Sequence, residues 1–202
     1  MPRHAVRSVK MPLPAASIPD KQAAIALDHL QRGRFRDALE CYKTLLKIEP
    51  RAEWLAGLSS AYEGRAKALA AKDMRREAIA MWRTRAEVCH APLWEGPYVS
   101  WLIAEGQLAD VLSHLSTQRA ASSDAPQDNP DDGLATLEAK LAPALLSADH
   151  ATCMQLPADS LLAKHRPHAL AALSAYSRMD GPALDEALAG ISFRSPYRDL
   201  RS

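Results

Sequence analysis

Gly33-Arg34-Phe35-Arg36-Asp37-Ala38-Leu39-Glu40-Cys41-Tyr42, closed by Pro50, is the stretch that decides the fold. Glycine supplies turn geometry that other residues adopt only at a cost. Phe35, Leu39, Tyr42 and Leu46 recur at helical spacing as an apolar stripe, and Ala38 is small enough for a second helix to cross closely. Pro50 stops the pattern, because the residue before a proline is pushed out of helical angles. The stretch predicts a tight turn into an amphipathic helix that ends at the proline.

The same grammar extends to both sides. Upstream, Asp20 is placed to cap a helix that carries Ala23, Ala24, Ile25, Leu27 and Leu30. Downstream, Trp54, Leu55, Leu58, Tyr62, Ala66 and Leu69 keep three- and four-residue spacing as far as Lys72-Asp73. That predicts a helix longer than the first by about a turn and a half. Asp73 then stands where Gly33 stood, Ala78 where Ala38 stood, Trp82 where Tyr42 stood, and Pro92 closes the segment. Asp tolerates turn conformations well enough to replace the glycine. A third round runs from Pro92 through Tyr98, Leu102 and Ile103 to Gly106-Gln107-Leu108-Ala109-Asp110-Val111-Leu112, with Leu115 in the aromatic place.

This pattern resembles the tetratricopeptide repeat (TPR), a helix-turn-helix unit of roughly 34 residues that stacks on copies of itself. The resemblance covers about half the chain and is most specific in the first unit. It implies an all-α fold of antiparallel helix-turn-helix repeats, a TPR-like α-solenoid whose first helices line a concave groove. Groove positions would then be Ala23, Leu27, Leu30 and Gln31 from the first unit, Ser60, Glu63, Lys67 and Ala71 from the second, and Leu93, Gly96, Ser100 and Ile103 from the third. Family members that clamp a terminal carboxylate use a Lys and Asn pair, where Ala23 and Leu27 stand here. A groove this apolar suits a hydrophobic or helical partner segment better.

The predicted organisation is a flexible arm over 1–19, a repeat region over 20–117, a polar and acidic linker over 118–133, a C-terminal helical region over 134–192 and an irregular tail over 193–202. In the C-terminal region, Leu134, Leu137, Leu141, Leu145 and Leu146, then Leu161, Leu162, Leu170, Leu173 and Tyr176, recur at helical spacing. Asp180-Gly181-Pro182 reads as a turn, with Gly181 serving a further degenerate unit.

Composition narrows the function classes. Valine and isoleucine are too sparse for a substantial sheet. The net charge of +1 does not describe a surface built throughout for nucleic acid, and the sub-totals of +4, 0 and −3 over residues 1–53, 54–118 and 119–202 would steer a partner weakly. Three widely spaced cysteines make no disulfide framework. No apolar run follows Arg3, Arg7 and Lys10, and no stretch of about 20 apolar residues occurs, so the expectation is a cytoplasmic protein without a membrane span.

Two clusters compete for a role. Trp54, Trp82, Trp94 and Trp101 fall in the second and third units; Trp82 occupies a packing position, whereas Trp94, between Pro92 and Gly96, is the candidate exposed anchor. Arg75, Arg76, Arg83 and Arg85 form a candidate basic patch, read either as an acidic-partner site or as a solvated face with intrahelical pairs. His150 with Cys153 and His165 with His168 have one-turn spacing, but no Cys-rich pattern of a structural metal site accompanies them. No catalytic motif is present, and Ser160 and Cys89 have no recognisable base. The expectation is a non-catalytic scaffold or adaptor, without cofactor or metal, that binds another protein. The alternatives are a dedicated chaperone for a secreted or assembling protein and, least favoured, a nucleic-acid-binding helical repeat that uses Arg34 and Arg36 as well.

Overall fold

The computed structural model describes residues 18–123 and 132–201. Most of the predicted arm and the middle of the predicted linker lie outside those residues. The described residues form ten α-helices and one short 3-10 helix, without a strand. The chain divides into two compact units, Met1–Leu93 and Trp94–Ser202.

The first unit holds α1 (Ile18–Gln31), α2 (Phe35–Ile48), α3 (Ala52–Ala70) and α4 (Arg75–Cys89). Helix α1 starts before Asp20, so Asp20 is not its cap but an acid of the first turn, bonded at 3.1 Å to Arg51 Nη1 ahead of α3. Successive helices pack as neighbours, as short turns require. Ala26, Leu39, Tyr42, Leu45, Trp54, Leu58, Ala61 and Tyr62 make a buried core, against which Ala23, Leu30 and Met81 are half-buried. Ala38 and Ala78 are fully buried, as their small size predicted. Helix α3 has 19 residues against 14 in α1, and Gly57 and Gly64 leave its surface bare where the rings of Tyr42 and Phe35 lie.

The second unit holds α5 (Tyr98–Ala104), α6 (Leu108–Ser123), α7 (Asp132–Leu146), α8 (His150–Cys153), α9 (Leu161–Ser177) and α10 (Gly181–Ala189). The third predicted repeat therefore belongs here rather than with the first two, because α5 and α6 pack on α7. Its first helix is short: Leu93 and Gly96 precede α5 and are not helical. Helix α6 also runs to Ser123, past the predicted linker boundary, and is held there by Arg119, whose Nη1 donates to Glu138 of α7 at 2.7 Å. Arg166 of α9 donates from Nε to the carbonyl of Leu145 at 2.8 Å, satisfying one of the orphan acceptors at the end of α7. Residues 193–197 of the tail are turns and bends, with Ser195 and Tyr197 buried, and Arg198–Arg201 form the 3-10 helix.

One main-chain turn recurs four times. After α1, Gly33 N–H donates to Leu30 at 3.1 Å and Arg34 N–H to His29 at 2.8 Å. Asp73 and Met74 repeat this on Ala70 and Leu69, Gly106 and Gln107 on Ile103 and Leu102, and Met179 and Asp180 on Tyr176 and Ala175. This is the helix-terminating arrangement in which a left-handed residue lets the next amide reach back to an orphan carbonyl. The left-handed residues are Gly33 (φ 71°), Asp73 (64°), Gly106 (71°) and Met179 (56°). In each case the next helix begins two residues later. Asp73 thus takes the place expected of it. Gly181 does not: it opens α10, and the turn residue is Met179.

Candidate partner-binding surface

In the first unit, the helix period sorts each predicted groove residue. Ala26 and Leu30 of α1 face the core, Leu30 half-buried, while Leu27 remains 47% exposed and Gln31, one turn on, is exposed beside it. Ala23 is half-buried against the core. On α3 and at its C-cap, Ser60, Lys67 and Ala71 are exposed, on the side opposite Leu58, Tyr62 and Leu69. Lys67 Nζ lies 2.7 Å from Glu63, and Glu63 in turn lies 3.5 Å from Arg85 of α4. The groove positions of α1 and α3 are thus mainly small or polar, with Leu27 the exposed large apolar residue among them, while Ile25, 53% exposed, lies on the opposite side of α1.

Arg85 is committed within its hairpin. Its Nε donates to Ser59 Oγ at 2.9 Å, its guanidinium stacks 4.8 Å from the Trp82 ring, and its side chain is only 13% exposed. Arg75 pairs with Asp73 at 2.6 Å, and Arg76 and Arg83 each have a contact of their own. Arg34 pairs with Asp28 at 3.1 Å. The basic cluster that looks continuous in the sequence is divided among separate local contacts.

Trp54 and Trp82 are buried, and Trp82 Nε1–H donates to the Leu93 carbonyl at 3.0 Å. In the second unit, Ser100 is exposed, and Ile103 and Trp101 are half-buried. Trp94 is half-buried too. Its ring stacks on His114 at 3.9 Å and meets Tyr98 edge-on at 5.4 Å, so one face is already used inside the unit. Burial lowers the pKa of His114, which favours the neutral ring in that stack.

The residues considered for chemistry have packing roles. Ser160 is buried and its Oγ accepts from Ala163 N–H at 3.0 Å as the cap of α9. His165 is buried with Nδ1 3.1 Å from the Gly190 carbonyl, and His168 lies against the Cα of Gly190. Burial, as the leading cause, pushes the Cys41 and Cys89 thiols up, which disfavours the reactive thiolate. Among the described residues no group of three or more His, Cys, Asp or Glu is placed to hold a metal ion, and no helix is long and apolar enough to cross a membrane.

Sequence reasoning did not find a cleft of about 380 Å³ between α2, α3 and α4, because its residues come from three helices whose periodicities show only which side of each is apolar. No protein-family model, no curated protein and no solved structure matches this chain.

Proposed function

We propose that this protein is a non-catalytic, TPR-like interaction module, a cytoplasmic scaffold or adaptor that binds a segment of a partner protein along the exposed rows of α1 and α3. The observation that carries this reading is Leu27. It is a large apolar side chain left 47% exposed at a predicted groove position, on a helix whose Ala26 and Leu30 pack into the core and whose Ile18 and Ile25 are exposed elsewhere. Isolated exposed apolar residues are ordinary. This one, however, lies beside the rows formed by Gln31, Ser60, Lys67 and Ala71, where a partner could bury it without disturbing the hairpins.

The test compares wild type with Leu27→Glu as immobilised bait in extract of the source cell, with retained proteins quantified and helicity read by circular dichroism. Leu27→Glu should keep its helicity and lose a stoichiometrically retained protein. Equal retention by both baits would refute the groove. Steeply salt-dependent recovery of nucleic acid by both would favour the basic-patch alternative instead.

A further inference from the structure

The cleft between α2, α3 and α4 belongs to none of the groove positions. Its contributors from α3, Tyr62 and Arg65, lie on the face of that helix opposite Ser60 and Lys67. Leu39, Tyr62 and Met81 give it apolar walls, the first two being 6% and 5% exposed. Arg36, Lys43 and Arg65 bring cations to it, and Glu40 brings one carboxylate.

The disposition of these charges matters more than their number. Lys43 Nζ lies 3.3 Å from Glu40, so those two largely cancel within the rim. Lys43 also stands 5.9 Å from the centroid of the Tyr62 ring, which ties the neutralised pair to the wall of the cleft. Arg36 and Arg65 make no hydrogen bond or ion pair with any described residue, although both line the same cleft. They differ in this from Arg32, Arg34, Arg51, Arg75, Arg85 and Arg119, each of which has a carboxylate within 4 Å. Two unspent guanidiniums from different helices, over an apolar wall, form a recognition pattern for an oxyanion attached to a flat apolar body. Guanidinium binds carboxylate and phosphate through paired N–H groups. A ring in the cleft would be packed by Leu39, Tyr62 and Met81. The volume falls within the range of small-molecule sites, about 300–1,000 Å³.

We propose that this cleft is a binding site for a small organic anion, an aryl phosphate or aryl carboxylate, with Arg36 and Arg65 holding the oxyanion and Leu39, Tyr62 and Met81 holding the ring. The site is separate from the α1–α3 surface, so its failure leaves the adaptor reading standing, and the reverse is also true.

The experiment titrates the full ¹⁵N-labelled chain with phenyl phosphate, benzoate, inorganic phosphate and phenol, following amide shifts by NMR. Phenyl phosphate or benzoate should give saturable shifts centred on Leu39, Tyr62 and Met81. Inorganic phosphate, without a ring, and phenol, without charge, should each bind at least tenfold more weakly. Arg36→Gln/Arg65→Gln should weaken the aryl anion at least tenfold while leaving shifts elsewhere in the chain unchanged, because Arg36 is exposed, Arg65 is half-buried, and neither bonds to another described residue. The charge-conserving control Arg36→Lys/Arg65→Lys, which lacks the paired N–H groups, should recover part of the affinity. Absence of saturable shifts with both aryl anions would overturn the proposal. So would equal binding of inorganic phosphate, or equal affinity in the double Gln variant.

Discussion

The ring of Tyr42 lies on the bare Cα of Gly57, and one heptad away the ring of Phe35 lies on Gly64. Helices α2 and α3 therefore meet as two aromatic knobs against two gaps, spaced alike on both partners. A Cβ at either glycine would overlap the facing ring. Tyr42 is 5% exposed and enclosed by core, whereas Phe35 is half-buried in the first turn of α2, so its ring is the less confined of the two.

Gly57→Ala should therefore destabilise the first unit. Overpacking costs about 1–3 kcal/mol, partly offset by the roughly 1 kcal/mol that alanine gains over glycine in a helix. Gly64→Ala should come out near neutral. Urea denaturation checks both, and in a Tyr42→Leu background Gly57→Ala should become neutral or stabilising.

Met179 occupies a left-handed turn with its side chain 96% exposed, so its contacts offset little of the conformational cost. Met179→Gly should raise stability by about 1 kcal/mol, the scale of the left-handed penalty for an L-residue. Gly33→Ala, which imposes that penalty where glycine now avoids it, should lower stability by a similar amount. A matched pair of thermal melts shows the two signs.

Tyr197 is buried, and its hydroxyl has no hydrogen-bond partner among the described residues. Desolvation is the main reason its pKa is pushed up to about 12. Removing an unsatisfied buried polar group relieves a cost of about 1–3 kcal/mol, so Tyr197→Phe should stabilise the second unit. Tyr197→Ala should instead cost about 3–5 kcal/mol, as removal of a large buried ring does. If the Phe variant melts lower than wild type, the hydroxyl has a partner in solution.

Glu138 is 4% exposed, and burial raises its pKa more than Arg119, 2.7 Å away, lowers it. Below its ordinary value of 4.5 the carboxyl is protonated in folded and unfolded chains alike. Above that value the unfolded chain ionises first, so this group's contribution to stability falls as pH rises through the folded value, then levels off. Relative to Glu138→Gln, wild type should lose stability across that window. Arg119→Ala leaves the carboxylate buried without its cation and should cost on the order of 3 kcal/mol at neutral pH, shrinking in acid as Glu138 takes up a proton. Melting temperatures of the three proteins from acid to neutral pH read both effects.

Legibility in the sequence followed the range of the interaction. The hairpins of the first unit, the long α3, the buried alanines and the Asp73 turn were all readable, because helix period and turn chemistry act over a few residues. Met179 escaped notice, since methionine carries no turn signal and the backbone bonds of Met179 and Asp180 hold it there. Trp94 read as an exposed anchor because its neighbours Pro92 and Gly96 suggest a loop; its stacking partner, His114, is 20 residues away. The end of α6 was misplaced for the same reason, as Glu138, which anchors Arg119, lies beyond the polar stretch that looked like a linker. The burial of Ser195 and Tyr197 in the tail was not readable, because they follow no helical period. On the candidate surface, Leu27 and Gln31 were placed by periodicity, whereas the cleft holding Arg36 and Arg65 arises only when three helices come together.

A main-chain lock used four times is also a set of four places where the chain lets go. Each closes with the same two amide bonds, so they differ chiefly in what the left-handed residue costs. Glycine at 33 and 106 costs least, aspartate at 73 more, and methionine at 179 most. Amide exchange at the locking residues should follow that ranking, with Asp180 N–H exchanging before Met74 N–H, and Arg34 and Gln107 last. Loosening of this protein would then begin at the α9–α10 corner, without any helix having to unwind.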